Sequence, residues 1–200
     1  MTEIVLINDG HLPKAVLVAA MSSGMTVRAI YDDQSERWGQ TLYGVPFVGA
    51  VSQANALNIP GVIACDDPRR RKEIADQLDL KWGKIVHPFS TINPSAKFGP
   101  GTIILAGAIL QPDVVIGKHT MISANVTIAH DCVIGDFVQL EPGVVLAGSV
   151  RIDDGAWLQI GACVIPCVQI GAGSSVGPRA VAIRDIPFET EVAGLPAMPV

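Results

Sequence analysis

A small parallel α/β sheet followed by a parallel β-helix is the fold class that the sequence predicts, and two observations carry it. The first is a period of six. Every sixth residue from Ile92 to Val176 is large and apolar: Ile92, Phe98, Ile104, Leu110, Ile116, Ile122, Ile128, Ile134, Leu140, Leu146, Ile152, Leu158, Val164, Ile170 and Val176. Four residues after each stands a small or β-branched one, from Ala96 and Thr102 to Ser174 and Ala180. Six fits neither a helix nor a flat strand, whose side chains repeat at about 3.6 and 2 residues. It fits a coil of three six-residue sides, each coil stacked on the next at about 4.8 Å, so that five coils make a rod about 24 Å long. The large residue of each side points inward, the small one fits near a corner, and Gly eases the bend. A sandwich of short strands would alternate with period two instead. The second observation is the alternation of strand-like and helix-like stretches before the repeat, the pattern of a parallel α/β sheet.

In chain order, Glu3 to Asn8 reads as a buried strand and Asp9-Gly10-His11-Leu12 as a turn. Pro13 to Ser23 reads as a helix, with Pro in the first turn and Gly24 as its stop. Thr26 to Tyr31 is a second strand, ending in Asp32-Asp33; Tyr43 to Gly49 is turn-rich, and Val51 to Asn58 a short helix. Gly61 to Cys65 is a third strand, Pro68 to Leu80 a helix with Asp66 or Asp67 as N-cap, and Lys84 to His87 a fourth strand. His87-Pro88 hands over to the repeat. The period fails after Ala180, Arg184 to Pro187 ends the solenoid, and the tail around Val192 to Ala197 caps it, because a bare solenoid end is an open sheet edge. The expected units are residues 1–87, 88–186 and 187–200.

Composition narrows the classes. The net charge of −5 argues against a nucleic-acid or anionic-membrane partner. No apolar run reaches the roughly 18 residues that a membrane span needs. The N-terminus opens on a strand-like run with no basic region and cleavage site, so the expectation is a cytoplasmic protein without a signal peptide. Cys65, Cys132, Cys163 and Cys167 form no CxxC pair, which reads as reduced thiols and no metal site. The basic run Arg69-Arg70-Arg71-Lys72 reads as the solvated face of its helix.

Candidate chemistry lies at two places. In parallel α/β sheets ligands bind beyond the C-terminal strand ends, which here carry Asn8 to His11, Asp32-Asp33 and Cys65-Asp66. In the repeat, His130-Asp131 sits at a turn, with Pro112 and Gly148 eighteen residues away on the adjacent coils. A His can accept a proton near neutral pH, and a neighbouring carboxylate orients it. The Gly148 N–H could face a developing oxyanion. A base and an amide donor are the minimum apparatus for acyl transfer. His119, also at a turn, reads as exposed and structural, and His87 as packed at the junction.

These residues resemble the sugar O-/N-acyltransferases related to sialic acid O-acetyltransferase and the bacterial UDP-4-amino-sugar N-acetyltransferases. The features in common are Asp32-Asp33, Gly44-Val45-Pro46, the Arg-bearing helix after strand three, His87-Pro88, His130-Asp131, and the Ala193-Gly194-Leu195-Pro196-Ala197 tail. The resemblance covers the whole chain. It implies a Rossmann-like N-terminal domain, a left-handed β-helix and a homotrimer, with acetyl-CoA bound between adjacent β-helices and no metal. It implies His130 as general base supported by Asp131, and Gln139, Gly148, Ile160 and Pro178 at CoA. Gly10, His11, Asp32, Asp33 and Cys65 would then hold a sugar or nucleotide-sugar acceptor, in surface-glycan biosynthesis. Several positions depart from the family pattern: Asn8-Asp9-Gly10-His11-Leu12 replaces a Gly-rich first loop, Cys65 a Gly, Ser123 an Asn, Gln139 a His, and Gly177-Pro178-Arg179-Ala180 a Gly-Ala-Gly-Ala run. The departures fall mostly on the acceptor side, so a different acceptor or a larger acyl group stays open. So do two other readings. A zinc carbonic anhydrase on the same rod would need three His, including a close pair. A non-catalytic scaffold would keep only the fold.

Overall fold

The structure is a computed structural model that describes residues 2–10, 13–56 and 58–200. The chain opens with β1 (Glu3–Asn8), α1 (Pro13–Ser22), β2 (Thr26–Asp32), β3 (Thr41–Leu42), β4 (Val45–Gly49), β5 (Gly61–Ala64) and α2 (Pro68–Gln77). Five strands form one sheet in the order β3-β4-β2-β1-β5, parallel except for the β3–β4 hairpin. The segment 43–49, expected as turns, is therefore largely a strand. Tyr43-Gly44 does turn, both residues at positive φ, but Val45, Phe47 and Gly49 are then buried in alternation, and Phe47 and Gly49 pair with β2. The Gly and Pro of this stretch masked a period-two pattern. Val51 to Ala56 is a 3₁₀ turn rather than an α-helix.

Strand β6 (Ile85–Val86) corrects a second expectation. It does not join the α/β sheet. It pairs with Ile103–Ile104, eighteen residues on, as the first strand of the coil stack. From there every coil contributes one two-residue strand to each of three parallel sheets. The docked face carries Ile85–Val86, Ile103–Ile104, Met121–Ile122, Gln139–Leu140, Trp157–Leu158 and Ser175–Val176. The second face runs from Thr91–Ile92 through Thr127–Ile128 to Val181–Ala182, and the third from Lys97–Phe98 through Val133–Ile134 to Gln169–Ile170. The register is uniform at eighteen residues. The six-period residues from Ile104 to Val176 are buried and form one column of core with the small residues four places on. At the C-terminus Glu191–Ala193 adds to the docked face and folds back on Met198–Pro199, so the tail closes the last coil.

The corners explain a feature the hydrophobic period leaves out. Two residues after the large one, the backbone N–H has no ladder partner, and Pro stands there at Pro94, Pro100, Pro112, Pro142, Pro166 and Pro178. The next residue takes positive φ, as at Asp113, His119, Asn125, Asp131, Phe137, Ser149, Cys167 and Arg179. This is type II turn chemistry, in which Pro presets the first central residue and the second must be left-handed.

The α/β unit sits on the first coils of the docked face. Val16, Leu17 and Ala20 of α1 share a core with Ile103, Leu105 and Met121. Ser23 Oγ at the end of α1 donates to the Val86 carbonyl at 2.6 Å. No helix among the described residues is long and apolar enough to cross a membrane.

Candidate functional site

His130 lies at the corner between the second and third faces. Its side chain is 60 % exposed and its Nδ1 is 2.7 Å from Asp131 Oδ2. The turn dictates this pairing. Asp131 holds the left-handed position at φ 60, which Asp tolerates, and its N–H donates to the Pro112 carbonyl. The His130 N–H donates to Gln111 Oε1 at 3.2 Å, and its carbonyl accepts from Ser149. One coil on, Gly148 lies against the imidazole. A Cβ built there would be 2.8 Å from both Cε1 and Nε2, so only Gly leaves the ring its place. The Gly148 N–H makes no hydrogen bond among the described residues. An oriented imidazole whose Nε2 makes no hydrogen bond among the described residues, beside an uncommitted backbone donor, can take a proton and steady a developing negative charge. Nearby Cys132 is a buried core residue, and burial raises its thiol pKa, so it is no nucleophile here.

The other candidates at the coils separate. Ile160 and Pro178 are exposed and stacked, with the Arg179 N–H donating to the Ile160 carbonyl. They lie at the corner between the docked and second faces, across the second face from His130. Gln139 is buried on the docked face, and its Oε1 accepts from Arg71 at 2.9 Å. In this chain its side chain is committed to the α/β unit.

The strand ends of the α/β unit form a cleft of about 390 Å³ lined by Gly10, Lys14, Arg37, Thr41, Leu42 and Phe47, among others. Asp32 lies buried beneath it. Its carboxylate accepts from Asn8 Nδ2 at 2.6 Å, the Gln34 N–H at 2.8 Å and Arg37 Nη1 at 2.7 Å. Asp32 thus positions Arg37, and it is Arg37 that lines the cleft. Asp33 accepts from the Val51 N–H, and Arg70 lies 3.7 Å from its other oxygen. His11 falls outside the described residues. Cys65 does not reach the cleft: its side chain points to the α2 side, into the core with Val5, Ile7, Tyr31 and Ile74, and burial raises its thiol to about 11. Alternation along β5 decides this, because Ile63 and Cys65 share the face that α2 covers.

Two further expectations change. Arg71 is not part of a solvated face but 1 % exposed. Its guanidinium donates to the carbonyls of Cys65, His119, Phe137 and Val138 and to Gln139 Oε1. Burial pulls its pKa down to about 10, which leaves it charged near neutrality. The signal was present: Arg71 precedes Ile74 by three and Leu78 by seven, on the buried stripe of α2. His119 is also buried, stacked on Phe137 at 5.1 Å between ring centroids and edge-on to Trp82 at 4.6 Å. It sits at the corner between the third and docked faces, away from His130. The two cannot serve one three-His metal site, and no group of three or more metal-ligating side chains occurs among the described residues.

Comparison with known proteins adds to this geometry. The family described as bacterial transferase hexapeptide (six repeats) matches residues 95–130 and 113–148. The acetyltransferase domain of PglB from Neisseria gonorrhoeae, solved with acetyl coenzyme A, is 30% identical over 99% of this chain and 98% of its own, with a TM-score of 0.92. PerB from Caulobacter crescentus, solved with CoA and GDP-perosamine, is 30% identical over 100% of this chain and 98% of its own, with a TM-score of 0.90. WeeI from Acinetobacter baumannii shares the fold at 24% identity, with each chain covered completely and a TM-score of 0.89. A search of the curated proteins returned no match.

Proposed function

The chain belongs to the sugar acyltransferases built on bacterial hexapeptide repeats, and on that premise we propose that it transfers the acetyl group of acetyl-CoA to an amino group of a nucleotide-linked sugar, with His130 as general base. The observation that carries the reading is the His130–Asp131 pair set over Gly148. In this reading the His130 Nδ1–H donates to Asp131 Oδ2, which leaves the Nε2 lone pair free. The acceptor nitrogen attacks the thioester carbonyl carbon while Nε2 removes its proton. The carbonyl oxygen becomes an oxyanion facing the Gly148 N–H. When the tetrahedral intermediate collapses, the C–S bond breaks and the CoA sulfur leaves, taking the proton from the imidazolium. The products are the amide and CoA. No metal enters the step.

The acceptor class follows from the relatives. PerB was solved with CoA and GDP-perosamine, and the PglB domain with acetyl coenzyme A. The strand order β4-β2-β1-β5, with a cationic cleft at its strand ends, supports a Rossmann-like nucleotide-sugar unit ahead of the first coil strand at Ile85. In this reading Gly10, Lys14 and Arg37 face the acceptor, Asp32 and Asp33 act from behind, and the coils from Ile85 onward form a left-handed β-helix closed by 187–200.

We assign the active form as a homotrimer. The outward residues of the second face are Thr91, Ile109, Thr127, Val145, Cys163 and Val181, with no charge among them, which suits burial against another chain. His130 and Ile160 flank that face on opposite edges. The pantetheine arm would then run between the His130 and Gly148 of one chain and the Ile160 and Pro178 of its neighbour. Four free cysteines suit a reducing, cytoplasmic setting. The test is thiol release from acetyl-CoA against a panel of nucleotide-linked 4-amino sugars, GDP-perosamine included, with His130→Ala as control. Release with one acceptor, lost in the variant, is the expected result. Release that survives His130→Ala would remove the base from the mechanism.

A further inference from the structure

Helix α2 carries two adjacent arginines that point in opposite directions. Arg70 pairs through Nε with Asp9, on the loop after β1, and lies within 3.7 Å of Asp33, after β2. Arg71 turns the other way, into the β-helix. All five of its N–H donors are used, at 2.5–3.1 Å. One acceptor, the Cys65 carbonyl, follows directly on β5. The other four belong to two successive coils: the His119 carbonyl on one, and the Phe137 and Val138 carbonyls with Gln139 Oε1 on the next. None of the five is a carboxylate.

A charge buried among neutral acceptors is a poor choice for stability, since a well-packed apolar side chain commonly does as well or better. What the guanidinium supplies is direction. Its planar fork accepts one arrangement of carbonyls. Besides Arg71, the two units meet through the hydrogen bond from Ser23 Oγ to the Val86 carbonyl, the edge contact of Trp82 with His119, and the apolar core of Leu17, Ala20, Ile103, Leu105 and Met121, which is non-directional. We propose that Arg71 is a positioning residue for acetyl transfer: it locks the α/β unit to the coils in one register, and so sets where the acceptor amine meets the His130 corner. This rests on the reading of the α/β cleft as the acceptor site. Through α2 the lock is continuous with the cleft, because the same helix ties down the loops at Asp9 and Asp33.

The test compares Arg71→Met, Arg71→Lys and Gln139→Leu with the wild type. In Arg71→Met, kcat/KM for the nucleotide-sugar acceptor should fall about 100-fold, the scale on which a misplacement of about 1 Å acts. The acetyl-CoA dissociation constant, read by equilibrium binding, should stay within about threefold, because the donor rests on the coils. Arg71→Lys, with a point charge and no fork, should recover only about tenfold. Gln139→Leu removes one acceptor of five and should fall between wild type and Arg71→Met, and it decides the matter if Arg71→Met does not fold. Hydrogen exchange at Phe137 and Val138 should quicken in Arg71→Met. Acceptor kcat/KM unchanged in all three variants, or donor binding lost in step with it, would overturn the inference. Should the wild type acetylate no acceptor, the functional reading fails, while exchange at Phe137 and Val138 still reports whether Arg71 locks the two units.

Discussion

At the scale of single residues, the site depends on which atoms are already occupied. Asp131 engages His130 Nδ1, so the free Nε2 is the atom that can take a proton. Removing that base should slow turnover by about 10²–10⁴-fold. Asp131→Asn should cost less. Asn tolerates the left-handed conformation that the turn demands at φ 60, so the corner survives and only the hold on the ring's orientation weakens. Gly148→Ala is the sharper probe. Its Cβ would meet the imidazole at 2.8 Å, so the ring must swing away while the coil keeps its shape. Activity should fall with the circular dichroism spectrum unchanged. His119 contributes to stability instead. Burial first, then Arg71 and Lys118, pull its pKa down to about 4, against Asp136 and Asp76. The unfolded chain therefore binds a proton between pH 6.5 and 4 that the folded chain refuses. This contribution is complete above about 6.5 and is lost as pH falls towards 4. His119→Phe should flatten that acid limb in thermal melts. Phe137 already holds the equivalent turn position at φ 57, so Phe fits the backbone there.

At the scale of elements, turns and caps hold what the core alone would leave free. The α2 N-cap Asp67 accepts from the N–H groups of Arg69 and Arg70. Asp67→Ala should lower the unfolding free energy by about 1 kcal/mol, measured by denaturant titration, and should loosen the end of the helix that carries both arginines. The coil elements were legible because their period is strict, and the eighteen-residue spacing already placed His130 over Gly148. Strand β4 was not, since Gly44 and Pro46 mimic a loop while the evidence for a strand lies in two residues, Val45 and Phe47. Arg71 was hidden inside a run of four basic residues that reads as one exposed patch. Its place on the buried stripe of α2 is visible only when each residue of the run is assigned a direction. His119 is hidden from the sequence for a related reason. Turn residues at a bare corner are exposed, but at this corner Trp82 and Phe137 cover the ring.

At the scale of the whole molecule, one chain holds the two halves of the proposed donor site on opposite edges of the second face. If the trimer completes the site, His130 of one chain works with Ile160 of the next, and two inactive chains can repair each other. His130→Ala lacks the base but keeps its Ile160 corner. Ile160→Asp keeps the base but sets a carboxylate where the apolar arm of CoA should lie, at an exposed position whose backbone N–H is already held by Glu141. Unfolded and refolded together in equal amounts, the chains assort at random, and each interface takes its His130 side and its Ile160 side independently. About one interface in four then pairs an intact base with an intact Ile160 corner in a closed ring of three. The mixture should regain roughly a quarter of wild-type activity, well above either variant refolded alone. Within a single chain each variant has one broken half, so sites built inside one chain would give no recovery at any mixing ratio. Val145→Asp, on the uncharged face, should abolish recovery and wild-type activity alike by leaving monomers, seen by sedimentation, with the His130–Asp131 pair still in place.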